Sequence, residues 1–379
     1  MTNVLHTLHA FTATTGGTAT CTYDLLAALN NRKDVHAELL VTRPSQPLMG
    51  HSEPWIIPVE NDEKTPFCVS ANLRHALLQT NADIYHTNGL WRYCNHVTAT
   101  VARRKGKPFV LTPHGMLYPQ ALKQSKWQKE LLRLVLFDRD IRDAACIHVT
   151  CEEEMRVVRA LGFTNPVAVI GNPVPTPFIL PIYRDDSVKF GYLGRLHPRK
   201  HIERLIDALA QLSRDEQARC ELVIIGSGKP AYEAFLREQA KRLQLTNIRF
   251  AGFVEGEEKQ QLLASLSALF VPSDFENFGM IIPEALHCGT PVWASTGTPW
   301  QLLNERGCGW WQEPKVENIV STMRQIIAMK PEKLDEMGLV GRQIVAEQFA
   351  VDIVAQQMNE LYNWILNNQS KPTFVYEFA

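Results

Sequence analysis

The fold-defining stretch of this chain is FGYLGRLHPRK, residues 190–200, which is followed at once by the amphipathic run 202–209. An apolar strand runs into Gly194, and two cations, Arg195 and Lys200, follow before the helix. A strand–loop–helix unit puts its loop at the carboxyl end of a parallel sheet, where α/β proteins bind ligands. Arginine as a planar fork and lysine as a point charge both suit a diphosphate at that position.

Further along, the stretch SDFENFGMIIPEAL, residues 273–286, places two carboxylates eight positions apart, Glu276 and Glu284. Pro283 is expected to open a helix, because proline lacks only an N–H that a first turn does not need. Glu284 is then predicted in the first turn, beside backbone N–H groups without helical partners, and Glu276 on the preceding loop. A loop carboxylate, the amides around Gly279 and a helix N-terminus together can bind a sugar and its phosphates.

Length and composition describe a two-domain globular protein. A chain of 379 residues exceeds one ordinary domain, and 45% hydrophobic with 21% charged residues is typical of soluble proteins. The net charge of -1 provides no global attraction for nucleic acid, so no nucleic-acid partner is expected.

The sequence also predicts a cytoplasmic location. Its apolar runs fall short of the ~20 residues that a spanning helix needs, and the N-terminus lacks the basic region and cleavage site of a signal peptide. The eight cysteines form no C-x-x-C pair, so reduced thiols are expected and a structural zinc site is not.

Strand-like and helix-like segments alternate along the chain, which predicts parallel sheets covered on both faces. Strands are predicted at 4–9, 37–41, 83–87, 109–112, 146–150, 167–170, 188–193, 222–225, 248–250, 268–271 and 291–294. Helices are predicted at 19–30, 69–79, 96–104, 119–136, 152–161, 202–212, 231–243, 256–266, 283–287, 315–328, 331–347 and 350–367. The proline-rich stretch 171–177 interrupts the alternation and is predicted to be the linker between domains.

With these motifs in hand, the chain resembles the retaining glycosyltransferase family 4, of the type that builds bacterial surface polysaccharides. The resemblance covers nearly the whole chain and includes an intact E-x7-E pattern. Further matching segments are the glycine-rich loop 15–17, DIYHTNGLW at 83–91, TPHGML at 112–117, HVTCE at 148–152 and VIGNPV at 169–174.

The resemblance implies the GT-B fold, an α/β architecture of two doubly wound Rossmann-like domains whose parallel sheets face each other across a cleft. Residues 1–172 would bind the acceptor and residues 173–350 the nucleotide sugar. Residues 351–379 would form a helix and tail that pack back on the N-terminal domain.

The resemblance also implies roles for individual residues. Arg195 and Lys200 would bind the donor's diphosphate, Glu284 the ribose hydroxyls, and Glu276 the donor sugar near the reacting centre. His114 would face the reactive carbon and the acceptor. Supporting donor contacts would come from the Gly17 loop, from the backbone amides of Gly279, Met280 and Ile281, and from Phe253 and Val254 near the base. One departure is His201, since glycine usually follows the lysine in this family.

The implied activity is retaining transfer of a sugar from a UDP- or GDP-sugar to a hydroxyl of a glycan or lipid-linked acceptor, in lipopolysaccharide, capsule or exopolysaccharide synthesis. Fixed cations can stabilise the charge on the leaving phosphate, so Arg195 and Lys200 can replace a metal. The one Asp-x-Asp sequence, Asp138-Arg139-Asp140, is interpreted as a solvated helix face. No metal and no other cofactor are therefore expected.

Some segments allow two interpretations. His114 is either a hydrogen-bonded core histidine or a site residue at a strand end, and its glycine and proline neighbours favour the second. Gly226-Ser227-Gly228 is interpreted as a strand-to-helix turn, since the full G-x-G-x-x-G is missing. The basic amphipathic run 123–134 either docks on the inner face of the cytoplasmic membrane or packs its apolar face into the core, and core packing is slightly favoured.

Other functions stay open at this point. A nucleotide-sugar epimerase or a phosphorylase shares the two-domain fold, although no pyridoxal phosphate lysine motif is present. A dehydrogenase is disfavoured by the missing glycine fingerprint and acidic partner. A non-catalytic nucleotide-sugar-binding protein is the last alternative, but such proteins are usually exported.

Overall fold

In the computed structural model the chain forms two compact units. The first unit comprises Met1–Pro175 with Val351–Ala379, and the second unit comprises Thr176–Ala350. The structure describes residues 1–11, 16–42, 53–60, 62–63, 65, 67–123, 126–176 and 187–378. Thr15 of the glycine-rich loop and Pro177 of the predicted linker lie outside these ranges.

The strands are numbered along the chain: β1 (Thr2–Leu8), β2 (Val35–Thr42), β3 (Ile56–Val59), β4 (Ile84–Asn88), β5 (Phe109–Thr112), β6 (Cys146–Val149), β7 (Val167–Val169), β8 (Val188–Leu193), β9 (Cys220–Ile225), β10 (Ile248–Gly252), β11 (Ala268–Val271), β12 (Val292–Ser295), β13 (Gly309–Gln312) and β14 (Val375–Tyr376).

The helices are α1 (Gly17–Asn30), α2 (Ala71–Gln79), α3 (Tyr93–Lys105), α4 (Pro119–Lys123), α5 (Lys126–Leu132), α6 (Asp138–Arg142), α7 (Glu152–Ala160), α8 (Ile202–Ala210), α9 (Arg214–Ala218), α10 (Pro230–Arg242), α11 (Gly256–Ala264), α12 (Ile281–His287), α13 (Leu302–Arg306), α14 (Val316–Ala328), α15 (Pro331–Gln348) and α16 (Val351–Ile365). A π-helical segment, Arg133–Phe137, joins α5 to α6, and a 3-10 turn, Pro198–Lys200, precedes α8.

Within the described ranges, the first unit contains an eight-stranded sheet in the order β14-β7-β6-β5-β4-β1-β2-β3. Its strands are parallel apart from β14, which runs antiparallel to β7. Because side chains alternate along a strand, Val4 and Leu8 of β1 enter one apolar cluster and Leu5 enters another on the opposite face. Both faces are therefore covered by helices, as predicted.

Helix α16 packs along α1 in the first unit. Met358, Leu361 and Tyr362 are fully buried in the same apolar cluster as Leu26 and Leu29. Burying Met358 and Leu361 contributes about 1.5–3 kcal/mol each. The first unit is thus completed by a segment from the far end of the chain.

The second unit contains, in its described part, a parallel sheet of six strands in the order β10-β9-β8-β11-β12-β13. Phe190, Leu222 and Phe270 face the cluster formed with α8, α10 and α14. Val223 and Ile225 face the other side, where Leu262 of α11 packs. This is again a sheet with helices on both faces.

Three strands were not predicted from the sequence: β3, β13 and β14. All three are edge strands of their sheets. An edge strand needs no continuous apolar run and tolerates a proline such as Pro58 of β3, so its sequence signal is weak. The short helices α9 and α13 were missed for a similar reason, since five residues show no clear period.

Gly338 of α15 generates a stability prediction. Alanine normally stabilises a helix interior by about 1 kcal/mol relative to glycine. A Cβ at position 338, however, would lie 2.2 Å from the backbone oxygen of Gly289, whereas the nearest atom to one at Gly341 would be the flexible Cδ2 of Leu286, at 2.8 Å. We expect Gly338→Ala to lower the free energy of unfolding by about 1–3 kcal/mol and Gly341→Ala to lower it less, measured by urea denaturation. A Gly338→Ala protein more stable than wild type would contradict this packing.

Candidate functional site

Two loops of the second unit lie side by side where β8 and β9 end. Gly194 has a φ of 149° and Gly226 a φ of 132°. A Cβ on Gly226 would lie only 1.9 Å from the carbonyl oxygen of Gly194, so glycine is required for this approach. Gly226 and Gly228 therefore serve the backbone packing of a turn, and the β8 loop they support carries Arg195 and Lys200.

These loops gather positive charge around one histidine. Burial and the charges of Arg199, Arg195, Lys229 and Lys200 lower the pKa of His197. The side chain of Arg195 is exposed, and in the described part of the chain its guanidinium has no hydrogen-bond or ion-pair partner. Four cations around one neutral imidazole form a positively charged surface, whose charge is complementary to that of an anion such as a diphosphate. Lys229 was not singled out in the sequence, although it directly follows the glycine turn.

Glu276 lies within reach of this surface. Its Oε1 forms an ion pair with Lys200 and accepts a hydrogen bond of 2.7 Å from Ser273 Oγ. Its backbone N–H donates to the carbonyl of Gly297 at 2.9 Å, and a Cβ on Gly297 would lie 2.1 Å from the oxygen of Asp274. Among the described residues both side-chain contacts of Glu276 fall on Oε1, so Oε2 is available to accept a further hydrogen bond.

His201, the departure from the family pattern, has a left-handed backbone with a φ of 52°. Glycine adopts this conformation without strain, which explains its usual place after the lysine. Histidine is one of the side chains enriched in this region. Here its Nδ1 lies 2.8 Å from Glu203 Oε1, and its Nε2 contacts Asp274. His201 thus occupies a left-handed position and ties the loop after Lys200 to Glu203 and Asp274.

The E-x7-E segment differs in one detail from the prediction. Helix α12 begins at Ile281, so Pro283 is not its first residue but still lies in the first turn. Glu284 follows it there, with Oε1 3.1 Å from Lys259 Nζ. Gly279 has a φ of 77°, a left-handed conformation that favours glycine and turns the chain from Glu276 into the helix.

The two residues expected near a nucleotide base have different environments. Phe253 is 69% exposed, whereas Val254 is buried against Val223 and Ile225. Only Phe253 therefore offers an aromatic side chain at the carboxyl end of β10. The side chain of Val254 belongs to the core.

The remaining predicted residues, Gly17 and His114, belong to the first unit. Gly17 is the exposed first residue of α1. His114 follows β5 with a φ of 48°, and its Nε2 lies 3.2 Å from Asn88 Oδ1. Cys21 and Thr22 of α1 line a small cavity together with His114. The structure thus brings α1 and His114 to the same end of the sheet.

The turn that carries His114 is fastened by a fully buried carboxylate. Glu154 accepts from the Gly115 N–H at 2.5 Å through Oε1 and from the Thr150 N–H at 3.0 Å through Oε2. Charge-assisted bonds to backbone N–H groups are the stronger kind of hydrogen bond. They couple the loop after β5 to the loop after β6.

Three buried histidines that the sequence analysis did not single out adjoin His114. His6 and His86 are aligned neighbours on β1 and β4, with ring centroids 4.3 Å apart, and His148 lies on β6. Burial, with smaller contributions from neighbouring histidines, lowers the pKa of His6 and His114 to about 3 and that of His86 well below its usual value. Burial lowers the pKa of His148 to about 4. The signal in the sequence that could have revealed this cluster is the presence of histidines on otherwise apolar strands.

An apolar cavity of about 760 Å³ opens at the same end of the first unit. Trp91, Met116 and Leu132 supply much of its apolar lining, and Arg92 and Lys129 contribute charge. Its size falls within the range of small-molecule sites.

Next to the cavity is an apolar ridge formed by four exposed side chains. Trp127 is 83% exposed, Leu131 64%, Leu134 79% and Val135 64%. The favoured interpretation of run 123–134, core packing of its apolar face, is therefore wrong for Trp127, Leu131 and Leu134. Leu131 also lines the cavity, so the ridge adjoins the cavity at this side chain.

The interpretation of Asp138-Arg139-Asp140 as a solvated helix face is also wrong. Asp138 and Asp140 are buried, because each is paired with a cation. Asp138 contacts Arg133 at 3.1 Å, and Asp140 contacts Arg103 at 3.0 Å. Neither carboxylate is left unpaired for a metal ion.

One group of possible metal ligands occurs among the described residues. His9, Glu63 and Cys68 place ligand atoms within 4.8 Å of one another. A guanidinium nitrogen of Arg92 already donates to the Cys68 sulfur at 3.4 Å. The positive charge of this guanidinium would repel a metal cation at the same place.

In the described part of the chain, no helix combines the length and apolar character needed to cross a membrane.

Both halves of the chain match glycosyltransferase families. Residues 181–343 match the family "Glycosyl transferases group 1", and residues 16–173 match "Glycosyl transferase 4-like domain". Together the two matches cover most of the chain. The protein belongs to the group 1 glycosyltransferases, also known as family 4.

Curated relatives share part of the sequence. An uncharacterized glycosyltransferase of Methanocaldococcus jannaschii is 33% identical over 35% of this chain and 33% of its own length. A GDP-mannose-dependent phosphatidylinositol dimannoside mannosyltransferase of Mycobacterium tuberculosis is 34% identical over 38% of this chain and 36% of its own. The chain spans about a third of the length of these relatives.

Solved structures resemble the chain over nearly its whole length. Sucrose-phosphate synthase of Thermosynechococcus elongatus has a TM-score of 0.78 at 20% identity and covers 97% of this chain and 100% of its own. HepE of Anabaena in complex with UDP-glucose has a TM-score of 0.72 at 20% identity and covers 96% and 100%. The fold is therefore GT-B, with two Rossmann-like domains, as predicted.

The buried histidines generate a prediction for the pH dependence of stability. In an unfolded chain a histidine has a pKa near 6.5, whereas burial lowers the pKa of His6, His86, His114 and His148 in the folded protein. Above about pH 6.5 both states are neutral. Below it only the unfolded state binds protons, so each histidine lowers the free energy of unfolding by about 1.4 kcal/mol per pH unit, down to its folded pKa.

We expect urea denaturation between pH 7.5 and 4.5 to show this loss. His148→Gln should reduce the slope, because it removes one of the four buried histidines that bind protons on unfolding. The control His75→Gln changes an exposed histidine of α2 and should leave the slope as in wild type. Equal slopes for both variants would contradict the prediction.

Proposed function

We propose that the protein is a retaining, metal-independent glycosyltransferase. It transfers a sugar from a UDP- or GDP-sugar to a hydroxyl of a glycan or lipid-linked acceptor in lipopolysaccharide, capsule or exopolysaccharide synthesis. The observation that carries the proposal is the cluster of four cations around His197, with Glu276 beside it. Membership of the glycosyltransferase family supports it independently.

In this proposal the cations act on the leaving group. Breaking the sugar–phosphate bond builds negative charge on the diphosphate, and fixed cations placed beforehand stabilise that charge without reorganisation. Arg195 has no competing partner within the described residues and would bind phosphate directly. Lys200 would exchange its contact with Glu276 for a phosphate oxygen. A metal ion is then unnecessary.

The donor's sugar and nucleoside would bind at the E-x7-E segment. Glu276 would accept hydrogen bonds from sugar hydroxyls, and Glu284, held by Lys259, would bind the ribose. The backbone amides of Gly279, Met280 and Ile281 would complete the donor site, and the exposed Phe253 would lie near the base. UDP-glucose in HepE and GDP-mannose for the mycobacterial enzyme illustrate the two donor classes.

Retention of configuration follows from a same-face reaction. The acceptor hydroxyl would lose its proton to the leaving phosphate, and Glu276 would orient the sugar instead of forming a covalent intermediate. In the first unit, Gly17 would let the α1 loop approach the phosphate, and His114 would face the acceptor.

The donor site is tested by thermal unfolding with UDP, GDP, ADP and their common sugars, without added metal and with chelator. We expect one nucleotide family, at about a hundredfold its Kd, to stabilise by about 2.7 kcal/mol, a rise in Tm of roughly 5 °C. Arg195→Ala and Glu284→Ala should abolish the shift. Arg242→Ala, an exposed arginine at the end of α10, is the control and should keep it.

The sugar transferred from that donor should keep its anomeric configuration, read by NMR. An inverted product would contradict retention. No shift with any nucleotide would contradict the proposed function as a whole.

We further propose that the acceptor is lipid-linked and that the apolar ridge rests on an anionic membrane surface. The ridge leaves four large apolar side chains in water, and Arg139 beside it is 73% exposed. Apolar side chains flanked by cations are the pattern of helices that lie in the membrane interface. The adjoining apolar cavity would accommodate part of such an acceptor.

The membrane contact is tested by co-sedimentation with vesicles of phosphatidylglycerol and phosphatidylcholine. We expect Leu134→Glu, and separately the joint change of Lys123, Lys126 and Lys129 to alanine, to weaken binding about tenfold or more. Phe235→Ala is the matched control, since Phe235 is 51% exposed on α10 of the second unit. Binding that survives both ridge variants would dismiss this surface as the membrane anchor.

A further inference from the structure

A continuous chain of hydrogen bonds runs through the sheet of the first unit from the carbonyl of Ile170 toward His114. His148 Nε2 lies 2.9 Å from the Ile170 oxygen, and His148 Nδ1 lies 2.8 Å from Thr112 Oγ1. Thr112 Oγ1 is 2.6 Å from His86 Nε2, and His86 Nδ1 is 2.8 Å from the Tyr362 hydroxyl. Three strands and the C-terminal helix α16 thus share one polar path.

The path continues from Tyr362 to His114. The Tyr362 hydroxyl lies 2.8 Å from His6 Nε2, and His6 Nδ1 lies 3.2 Å from Asn88 Nδ2. The other amide atom of Asn88, Oδ1, lies 3.2 Å from His114 Nε2. Asn88 Nδ2 also lies 3.4 Å from the carbonyl of Thr7.

The proton positions along this path follow from its Ile170 end. A backbone carbonyl can only accept, so His148 must carry its proton on Nε2 and accept on Nδ1 from Thr112. The Thr112 oxygen then accepts from His86 Nε2–H. A neutral imidazole has one donor and one acceptor, so His86 Nδ1 accepts from the Tyr362 hydroxyl.

The other end favours the same direction, although its contact with the Thr7 carbonyl is long, at 3.4 Å. The Thr7 carbonyl accepts, so the Asn88 amide nitrogen faces it and also donates to His6 Nδ1. His6 must then carry its proton on Nε2 and donate to the Tyr362 oxygen. This is the direction required from the Ile170 side, so the two ends agree at Tyr362.

We propose that this path fixes His114 as the Nε2–H tautomer and that Tyr362 is a positioning residue that keeps it so. Asn88 Oδ1 can only accept, so His114 donates from Nε2 and is left with Nδ1 as a bare acceptor. On the proposed function, on which this last assignment rests, Nδ1 would accept a hydrogen bond from a sugar hydroxyl.

Removing the Tyr362 hydroxyl would release this order. His6 Nε2–H would lose its acceptor and His86 Nδ1 its donor. A His6 ring protonated on Nδ1 would repel the Asn88 nitrogen and favour rotation of the amide. The contact that opposes this rotation is the bond from Asn88 Nδ2 to the Thr7 carbonyl, which is long and therefore weak. After rotation Asn88 would present Nδ2 to His114, and His114 would move its proton to Nδ1.

The experiment is two-bond ¹H–¹⁵N NMR of the full-length protein with ¹⁵N-labelled histidine rings, each resonance assigned by single substitution. At pH 7 we expect His6, His86, His114 and His148 all to show protonated Nε2 and unprotonated Nδ1. A wild-type His114 that carries its proton on Nδ1, or on both nitrogens, overturns the proposal.

Tyr362→Phe should convert the His114 pattern to Nδ1–H or to a mixture. The matched control is Tyr85→Phe, another fully buried tyrosine of the first unit, whose hydroxyl donates to the Thr80 carbonyl at 3.1 Å. It should leave all four patterns unchanged. Thr112→Val cuts the path between His86 and His148 and provides a second interruption if Tyr362→Phe does not fold. An unchanged His114 pattern in whichever of these variants folds overturns the positioning role.

Kinetics separate this inference from the proposed function. If transfer activity is found, Tyr362→Phe should lower kcat about tenfold or more with little change in the donor's KM, because a wrong histidine tautomer impairs the chemical step. If the tautomers are as stated but no donor is bound or transferred, the proposed function fails and the positioning of His114 stands.

Discussion

Parallel pairing of neighbouring strands is the constraint from which both candidate sites arise. Parallel strands end at the same edge of their sheet, so every loop that follows a strand is delivered to one side of the unit. In the second unit this brings the loop carrying Arg195, after β8, close to the turn after β9 and to Glu276, after β11. In the first unit it brings Asn88, at the end of β4, to His114, after β5. An antiparallel sheet would have sent alternate loops to opposite edges.

Glycine residues allow backbone segments to approach each other closely at these edges, because glycine has no side chain. Gly226 and Gly297 leave no space for a Cβ against Gly194 and Asp274, and each supports a loop that holds a charged side chain. Residues with a left-handed backbone conformation also lie in the loops at these edges. His114 and His201 adopt this conformation although they are not glycine. The hydrogen bonds of each imidazole offset the strain of its backbone. Backbone geometry and side-chain chemistry are therefore coupled in these loops.

The sequence predicted what depends on local pattern and missed what depends on distant partners. The β8 loop and the E-x7-E segment carry glycines, cations and carboxylates within a few residues, so their arrangement was predictable. Tyr362 contacts His6 and His86 although it lies near the other end of the chain, and no local sequence pattern predicts such a contact. The burial of Asp138 and Asp140 depends in the same way on cations that are distant in sequence or lie outside the usual i,i+3 and i,i+4 helical spacing.

Amphipathic patterns were a second source of error. The run 123–134 has the period of a surface helix, and that period predicts an apolar face without stating what covers it. Within the described residues, Trp127 and Leu134 are left uncovered by the chain itself. The edge strands β3, β13 and β14 were missed because their sequence pattern is weak. Each pairs with a neighbouring strand on one side only, and such a strand needs no continuous apolar run.

The return of α16 to α1 has a consequence for the order of events on the ribosome. The first unit lacks the apolar cover of Leu26 and Leu29, and the hydroxyl between His6 and His86, until residues 351–365 have been synthesised. The whole second unit, Thr176–Ala350, emerges before that point and contains its own core. Because domains fold as units during synthesis, the unit that begins the chain is the one completed last.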